Sequence, residues 1–321
     1  MKLSEKTLYK FFKGALRYTC EGGYITPARF SLAQTEFMAD PSYDRGWRNY
    51  AKFTGGIRME LITDSPFISF DYKASCMHER ANTVDLYVNG ALTSVYKIGD
   101  RLKGSIRFDL PEGENKVTIY LPGESIFSIK NFQIDGGYRS VRDKGQRLLV
   151  IGDSITQGAG PDIASAAYIH SLQRRTGYNI LGQGMGGYRY EPRDLMKTDG
   201  FEPDKILVFL GTNYYDTPIE QYDYKGAVEK FYERLTELYP NTPILCVTPL
   251  WRNNNVDMPR LLWCIEAIKN TCRKYPSVTV ADGFTLMPNV DECLADGVHP
   301  NTYGSTLLAE NLAKVMKDIK F

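Results

Sequence analysis

The segment at 148–158, LLVIGDSITQG, constrains the fold of this chain more than any other. Four apolar residues lead directly into Gly152, Asp153 and Ser154. An apolar run of this length that ends at a glycine and a hydroxyl residue is typical of a buried parallel strand. Ligands bind at the carboxyl edge of such sheets. Ser154 is therefore either a nucleophile or a helix N-cap, because serine and aspartate both cap helices well.

A second segment, DGVHPN, begins at Asp296 and supplies the groups that a nucleophilic serine requires. Serine needs an adjacent base, and the base needs a third group that fixes its tautomer and orientation. Ser154, His299 and Asp296 provide one group of each type. The remaining histidines are expected to have surface or packing roles: His78 in a β-rich half and His170 in a predicted helix.

Four sequence blocks, in this order, resemble those of the SGNH (GDSL) hydrolase superfamily. They are GDSITQG at 152–158, QGMGG at 183–187, GTN at 211–213 and DGVHPN at 296–301. The resemblance covers the chain from Leu148 to its end. It implies a hydrolase acting on carboxylic esters through a serine nucleophile.

Composition limits the domain count and the partners. A chain of 321 residues with 43% apolar content suffices for two domains, each with its own core. The net charge of +1 provides no field that would gather polyanions, so no nucleic-acid partner is expected. The N-terminal 18 residues do not read as a signal peptide, and no apolar run is long enough to span a bilayer.

The six cysteines are scattered, without a CxxC pair or metal-ligand spacing. This distribution favours free thiols, with Cys246, Cys264 and Cys272 buried, over a disulfide framework. We therefore expect a cytoplasmic protein with no cofactor, no metal and no membrane partner. A homo-oligomer is left open.

Residues 1–143 are predicted to form a β-sandwich of the jelly-roll type. Apolar and polar residues alternate there with period two, and turn signals separate the runs. The segment from Val84 to Tyr87 also resembles the GxDLY element of N-terminal domains of some SGNH esterases, although Thr83-Val84 replaces the glycine. The predicted strands lie at 67–72, 84–88, 106–110 and 117–121.

Residues 144–321 alternate between strands and helices, which predicts a flavodoxin-like three-layer α/β/α domain. The resemblance implies the same fold. One amphipathic helix is predicted from Thr217 as N-cap and Pro218 in the first turn to Leu238, and another closes the chain at 307–319. The predicted buried strands lie at 148–151, 179–181, 206–210, 244–247 and 278–280.

Such a sheet would bring distant residues together, because the loops after its strands leave from one carboxyl edge. Ser154 follows the first strand, Gly187 the second and Asn213 the third, whereas Asp296 and His299 precede the last helix. The resemblance implies an oxyanion hole formed by the backbone N–H groups of Ser154 and Gly187 and the side-chain amide of Asn213. The spacing leaves open how strongly Asp296 supports His299.

The chain departs from the family pattern at two positions. Gly182 replaces a common asparagine, and Tyr214 replaces the aspartate that usually follows the oxyanion-hole asparagine. We expect Gly182, Gly184 and Gly186 only to turn the chain between strand and helix. Asp153 is expected to hold the turn between the first strand and its helix.

The aromatic residues near the predicted site either contact sugar rings or pack in the interior, and the sequence leaves both open. No apolar lid or membrane-binding helix is evident, which favours a short acyl group on a polar leaving group. Arg252 is expected to be a surface arginine, with substrate contact as the alternative. The aromatic residues are Tyr188, Tyr190, Tyr214, Tyr215 and Trp251.

The order of a β-sandwich followed by an SGNH domain is similar to that in acetyl esterases of carbohydrate esterase family 2 and in those that are like family 17. This resemblance implies acetylated oligosaccharides as substrates. A lysophospholipase or thioesterase acting on longer acyl chains is the first alternative, and a noncatalytic carbohydrate-binding protein is the second. A flavodoxin-like nucleotide binder would need a phosphate-binding loop, for which Gly158-Ala159-Gly160 is a weak signal.

Overall fold

The computed structural model describes residues 1–40, 47–75, 82–214, 223–254 and 256–321. The first part of the chain contains two antiparallel sheets, and the second part contains one parallel sheet of five strands. No helix among these residues is long and apolar enough to cross a bilayer.

The antiparallel strands bury alternate side chains, as their period-two pattern requires. The strands are β1 (Phe12–Lys13), β2 (Arg17–Glu21), β3 (Tyr24–Ala28), β4 (Arg58–Thr63), β5 (Phe67–Ser75), β6 (Thr83–Val88), β7 (Ala91–Lys97), β8 (Lys103–Asp109), β9 (Asn115–Tyr120), β10 (Ile126–Ile134) and β11 (Tyr138–Ser140). One sheet has the order β1-β4-β9-β6-β7, with β11 paired to β4, and the other has the order β2-β3-β10-β5-β8. Buried residues of both sheets, such as Leu61 and Phe70, form one apolar cluster.

The four strands predicted in this part are confirmed as β5, β6, β8 and β9. The sequence pattern missed β4, which is buried although it contains Arg58 and Glu60. These two side chains form a buried ion pair, with 2.6 Å between Nε and Oε1. Alternation also missed three short helices, α1 (Glu5–Leu8), α2 (Leu32–Phe37) and α3 (Trp47–Tyr50). The sandwich with jelly-roll connections stays a prediction.

The five predicted parallel strands are confirmed. They are β12 (Arg147–Gly152), β13 (Asn179–Gly184), β14 (Lys205–Phe209), β15 (Ile244–Val247) and β16 (Val278–Ala281). Their spatial order is β13-β12-β14-β15-β16, which is the flavodoxin-like order 2-1-3-4-5. Gly152, at the end of β12, is in register with Gly184 on one side and Phe209 on the other, so three strands end together.

Helices cover both faces of the parallel sheet. They bury the apolar side chains of each strand, which point alternately to the two faces. The helices are α4 (Ser154–Gln157), α5 (Tyr168–Thr176), α6 (Tyr224–Leu238), α7 (Met258–Cys272) and α8 (Thr302–Asp318). Ile151 of β12 belongs to one apolar cluster with residues of α6 and α7. Val150 belongs to another cluster with residues of α5 and α8. Short 3-10 helices span Ala164–Ala166, Pro192–Asp194, Thr212–Tyr214, Gly283–Thr285 and Asp291–Cys293.

Helix α6 begins later than the sequence predicts. Its N-cap is Asp223, whose side chain accepts a hydrogen bond from the Gly226 N–H. Thr217 and Pro218 lie outside the described residues. The buried face predicted for this helix is confirmed, since residues such as Phe231 and Leu235 are buried.

The cysteine predictions are confirmed where the structure describes them. Cys246, Cys264 and Cys272 are free and buried, as is Cys293, whereas Cys20 is free and exposed. Cys76 and His78 lie outside the described residues, and the reducing compartment stays a prediction. His170 is a buried packing residue in α5, where its ring contacts that of Tyr120.

Strand β6 anchors the antiparallel part to the parallel part. The fully buried Asp85 accepts a hydrogen bond from the Ser165 N–H at 2.7 Å. Thr83 accepts one from the Ala164 N–H at 2.9 Å. The GxDLY-like segment therefore holds two parts of the chain together, because its aspartate satisfies the first turn of a 3-10 helix.

We expect Asp85→Ala to lower the free energy of unfolding by roughly 1–3 kcal/mol, because the buried Ser165 N–H loses its acceptor. Asp85→Asn keeps an acceptor oxygen and is expected to lose less. Urea unfolding followed by circular dichroism measures both differences. Equal stability of Asp85→Ala and wild type would contradict the anchoring role.

Candidate active site

The turn from β12 into α4 presents Ser154 at the carboxyl edge of the sheet. Asp153 is the N-cap of α4, and its Oδ1 accepts a hydrogen bond from the Ile155 N–H at 3.0 Å. The structural role predicted for Asp153 is confirmed. A Cβ atom on Gly152 would lie 2.0 Å from the Thr156 hydroxyl, so only glycine fits there. Since Asp153 caps the helix, the Ser154 side chain is left for another role.

The structure brings Ser154, His299 and Asp296 together. Ser154 Oγ lies 2.7 Å from His299 Nε2, and His299 Nδ1 lies 2.8 Å from Asp296 Oδ2. A carboxylate only accepts hydrogen bonds, so this network assigns the imidazole proton to Nδ1 and leaves Nε2 to accept from the serine hydroxyl. A serine, a base and an orienting carboxylate are thus aligned.

The loop that carries Asp296 also fixes its carboxylate. Oδ1 accepts hydrogen bonds from the backbone N–H groups of His299, at 2.9 Å, and Val298, at 3.1 Å. Partial burial opposes ionisation, but these bonds and the contact with the imidazole outweigh it and hold the pKa of Asp296 below its usual value. The carboxylate is therefore charged at neutral pH.

The loop after β13 contributes Gly187. The Gly186 N–H donates to Gln157 Oε1 at 2.9 Å, and Gly187 has a φ of +69°, which favours glycine. The amide of Asn213 donates one hydrogen bond to the Tyr188 carbonyl at 3.0 Å. This bond steadies the Asn213 side chain although Tyr214 replaces the family's aspartate, and the amide has a second N–H.

Gly186 lies in a turn after β13, as predicted, but the other two glycines differ from the prediction. Gly182 and Gly184 do not turn the chain but lie inside β13. A Cβ atom on Gly182 would lie 2.4 Å from Ile169 Cδ1, and one on Gly184 would lie 2.3 Å from the Gln157 backbone nitrogen. Close packing of the strand against α4 and α5 therefore requires these glycines.

Ser154, Gly187, Asn213 and His299 line one cleft of about 330 Å³. Tyr50 and Glu124, both from the antiparallel part, line it as well, so both parts of the chain build this cleft. The remaining lining residues are Gln157, Ala159, Gly186, Thr212, Arg252 and Val298.

Arg252 lies in the cleft, so the prediction of an ordinary surface arginine is wrong. Its Nη1 donates to the Thr212 carbonyl at 3.0 Å and lies 3.2 Å from the Thr212 hydroxyl. The loop after β15 carries Arg252 to the same edge of the sheet as Ser154, and sequence position alone did not reveal this.

The structure places three of the five aromatic residues in the interior. Tyr188, Tyr190 and Tyr214 are only 2% exposed and pack in the interior. Trp251 stacks on Phe284 with 3.7 Å between ring centroids, and Tyr215 lies outside the described residues. Tyr50 lines the cleft but has no sequence signal, because it belongs to a four-residue helix far from the motifs.

Comparison with known proteins assigns part of this chain to a family. Residues 150–307 match the model of the GDSL-like lipase/acylhydrolase family. This segment is a GDSL-type lipase/acylhydrolase domain. It begins in β12 and ends in α8, so Tyr50 and Glu124 contribute to the cleft of the GDSL domain from outside it.

One relative is an acetylxylan esterase from Xylanibacter ruminicola, 26% identical over 216 residues. The alignment covers 53% of this chain and 43% of that protein, so the chain spans less than half of the relative's length.

Two solved structures share the fold well beyond the GDSL domain. The salicylyl-acyltransferase SsfX3 from a tetracycline biosynthetic pathway has a TM-score of 0.78 at 19% identity, covering 100% of this chain and 97% of that one. A family two carbohydrate esterase from Clostridium thermocellum, solved with cellohexaose, has a TM-score of 0.66 at 17% identity, covering 92% of this chain and 98% of that one.

No group of three or more histidine, cysteine, aspartate or glutamate residues is placed to hold a metal ion in the described ranges. The residues of the four motifs place a serine, an imidazole and hydrogen-bond donors at one cleft. Such groups perform acyl transfer by nucleophilic attack and proton transfer.

Asp153 provides a test of the electrostatics beneath Ser154. Burial raises the pKa of its carboxyl to about 6, although the Ile155 N–H and His299 oppose the shift. Ionisation therefore destabilises the folded state, and stability falls as the pH rises from the usual pKa through 6. Relative to Asp153→Asn, which keeps the capping oxygen, we expect wild type to lose up to about 3 kcal/mol between pH 4 and 7.

The measurement is urea unfolding of both proteins across this pH range. Asp204→Asn serves as a control of opposite sign, because hydrogen bonds from Arg147 lower the pKa of Asp204. There the advantage of wild type should shrink as the pH falls. A difference between wild type and Asp153→Asn that does not change with pH would contradict the pKa assigned to Asp153.

Proposed function

We propose that this chain is a serine esterase in which Ser154 is the nucleophile, His299 the general base and Asp296 the group that orients the base. One observation carries the proposal. The Ser154 hydroxyl, the His299 ring and the Asp296 carboxylate form a continuous chain of hydrogen bonds, 2.7 and 2.8 Å long.

The proposed reaction follows from this alignment. Ser154 Oγ attacks the ester carbonyl while His299 Nε2 takes the hydroxyl proton and then delivers it to the departing alkoxide. The acyl-enzyme is hydrolysed when the same nitrogen takes a proton from water as the water oxygen attacks the acyl carbon. The bond from that carbon to Ser154 Oγ then breaks, and His299 returns the proton to Ser154 Oγ. Asp296 stays ionised throughout, because the pKa of its carboxyl is lowered, and its negative charge stabilises the imidazolium of His299.

The oxyanion of each tetrahedral intermediate needs donors that are already oriented. We assign this role to the backbone N–H groups of Ser154 and Gly187 and to the side-chain amide of Asn213. All three residues line the same cleft as His299. The hydrogen bond from Gly186 to Gln157 and the one from Asn213 to Tyr188 support these donors.

The substrate class we propose is a short acyl group, O-acetyl in particular, on a carbohydrate. Polar residues, such as Glu124, Gln157 and Asn213, line much of the cleft, which suits a small acyl group and a hydroxyl-bearing leaving group. The acetylxylan esterase relative and the fold shared with a carbohydrate esterase support the same class.

We also propose that residues 1–143 form a jelly-roll β-sandwich and that residues 144–321 form the catalytic domain. The common apolar cluster of the two antiparallel sheets supports the sandwich. Tyr50 and Glu124 give it a direct part in the cleft. On this proposal, the sandwich supplies one wall of the substrate site.

Ser154→Ala and His299→Ala are expected to lower kcat by roughly four to six orders of magnitude, because each removes a member of the nucleophile and base pair. Asp296→Asn should retain more activity than either. The measurement is acetate release from acetylated xylo-, manno- and cello-oligosaccharides, beside a decanoyl ester. Wild-type rates in all three variants would contradict the mechanism, and preferential release of decanoate would replace the short-acyl proposal with a long-chain one.

Asn213→Ala is expected to lower kcat by about 100- to 1000-fold with little change in KM, because the donor acts on the oxyanion and not on the ground state. Asn213→Asp, which keeps the shape but replaces the N–H donor with a negative charge, is expected to lose at least as much kcat as Asn213→Ala. Steady-state hydrolysis of p-nitrophenyl acetate separates the two constants. A rise in KM at unchanged kcat would instead place Asn213 in substrate binding.

A further inference from the structure

Arg29 is a fully buried arginine between the two parts of the chain. It follows β3 and donates hydrogen bonds to four backbone carbonyls. Two belong to the antiparallel part, with Nε 2.8 Å from the Phe53 oxygen and Nη2 3.1 Å from the Tyr50 oxygen. The other two belong to β13, with Nη1 2.9 Å from the oxygens of both Gly182 and Gly184.

The carbonyls on β13 need such a donor because β13 is the edge strand of the parallel sheet. Strand β12 pairs with one side of β13, and alternate residues direct their backbone groups to the other side. Gly182 and Gly184 are two residues apart, and both are buried. Arg29 therefore takes the place of a neighbouring strand at the carboxyl end of β13.

The chain leaves β13 directly into the loop 185–188, which contains Gly187. One side of this loop is tied to the nucleophile segment, since the Met185 N–H donates to the Gly152 carbonyl at 3.1 Å and the Gly186 N–H to Gln157 at 2.9 Å. Arg29 holds the strand that delivers the loop from the other side.

Arg29 also sets the position of Tyr50. Its hydrogen bond holds the Tyr50 carbonyl, and the Tyr50 ring packs on the loop so closely that a Cβ atom on Gly186 would lie 2.9 Å from it. Tyr50 lines the cleft. One guanidinium thus joins the strand before the loop to the side chain that packs against it.

We propose that Arg29 is a positioning residue for the oxyanion hole. By holding the carbonyls of Gly182 and Gly184, it fixes the path of the loop 185–188 and with it the direction of the Gly187 N–H. This inference rests on the proposed esterase function. It makes the antiparallel part of the chain a component of the catalytic geometry.

The chemistry of arginine fits this role. Its planar guanidinium presents five N–H donors in a fixed fork, whereas the lysine ammonium is a compact charge with three. Burial lowers the pKa of Arg29 to about 9, so the group remains charged at neutral pH. No ion pair of Arg29 occurs among the described residues. The four carbonyls take the place of water as hydrogen-bond acceptors for the guanidinium.

The experiment measures kcat and KM for p-nitrophenyl acetate in wild type, Arg29→Ala, Arg29→Lys and Arg174→Ala, each confirmed as folded by circular dichroism. Arg174 is the matched control. It also bridges the two parts of the chain, lying over the rings of Tyr87 and Tyr120 and donating to the Ser165 carbonyl, but it does not contact the loop 185–188. Guanidinium ion at millimolar concentration is added to each variant.

We expect Arg29→Ala to lower kcat by about 10- to 1000-fold, approaching the cost of a lost oxyanion donor, with KM within about twofold of wild type. The kcat of Arg29→Lys should lie between those of wild type and Arg29→Ala. Guanidinium ion should restore part of the activity of Arg29→Ala and should not raise the activity of the other proteins. Arg174→Ala should lose stability but keep its kcat.

A folded Arg29→Ala variant with wild-type kcat would overturn the inference, as would equal losses of kcat in Arg29→Ala and Arg174→Ala. If Arg29→Ala does not fold, the decision passes to Arg29→Lys, for which wild-type kcat overturns the inference and a lower kcat at unchanged KM supports it. A wild type inactive on every ester would overturn the proposed function as well, whereas an active wild type with an unaffected Arg29 variant overturns only the role of Arg29.

Discussion

The hydrogen bond between Ser154 and His299 joins residues that are 145 positions apart in the chain, and the site depends on it. It forms because β12, β13 and β14 are parallel, adjacent and in register at their carboxyl ends. The nucleophile, the oxyanion loop and Asn213 leave the sheet at that edge, and the loop before α8 returns the imidazole to it. Parallel pairing within a covered sheet therefore sets the geometry on which the proposed chemistry depends.

The antiparallel part of the chain is joined to this site by buried polar groups. Asp85 caps a 3-10 helix of the parallel part, and Arg29 binds the edge of β13. Both side chains are fully buried, so each leaves unsatisfied groups if it is removed. Tyr50 and Glu124, which also belong to the antiparallel part, line the cleft. Residues on both sides of the GDSL domain's N-terminal boundary consequently line the cleft.

The sequence predicted the parallel strands and the grouping of Ser154, His299 and Asp296, because buried strands and short motifs are local patterns. It did not predict β4, because the charged residues Arg58 and Glu60 are not expected in a buried strand. In the fold they are buried as an ion pair. Arg29 and Tyr50 carry no local signal either, since their roles arise from contacts with distant segments. The sequence also does not show why Gly182 and Gly184 are needed within β13, because the close approach of α4 and α5 is a tertiary property.

Reaction with a fluorophosphonate, which phosphonylates activated serines, followed by intact-mass and peptide-mass analysis tests the role of Ser154 most directly. We expect one adduct per chain, located on Ser154 and absent when His299 is replaced by alanine. An unmodified protein, or an adduct on another residue, would contradict the claim that Ser154 is the nucleophile activated by His299.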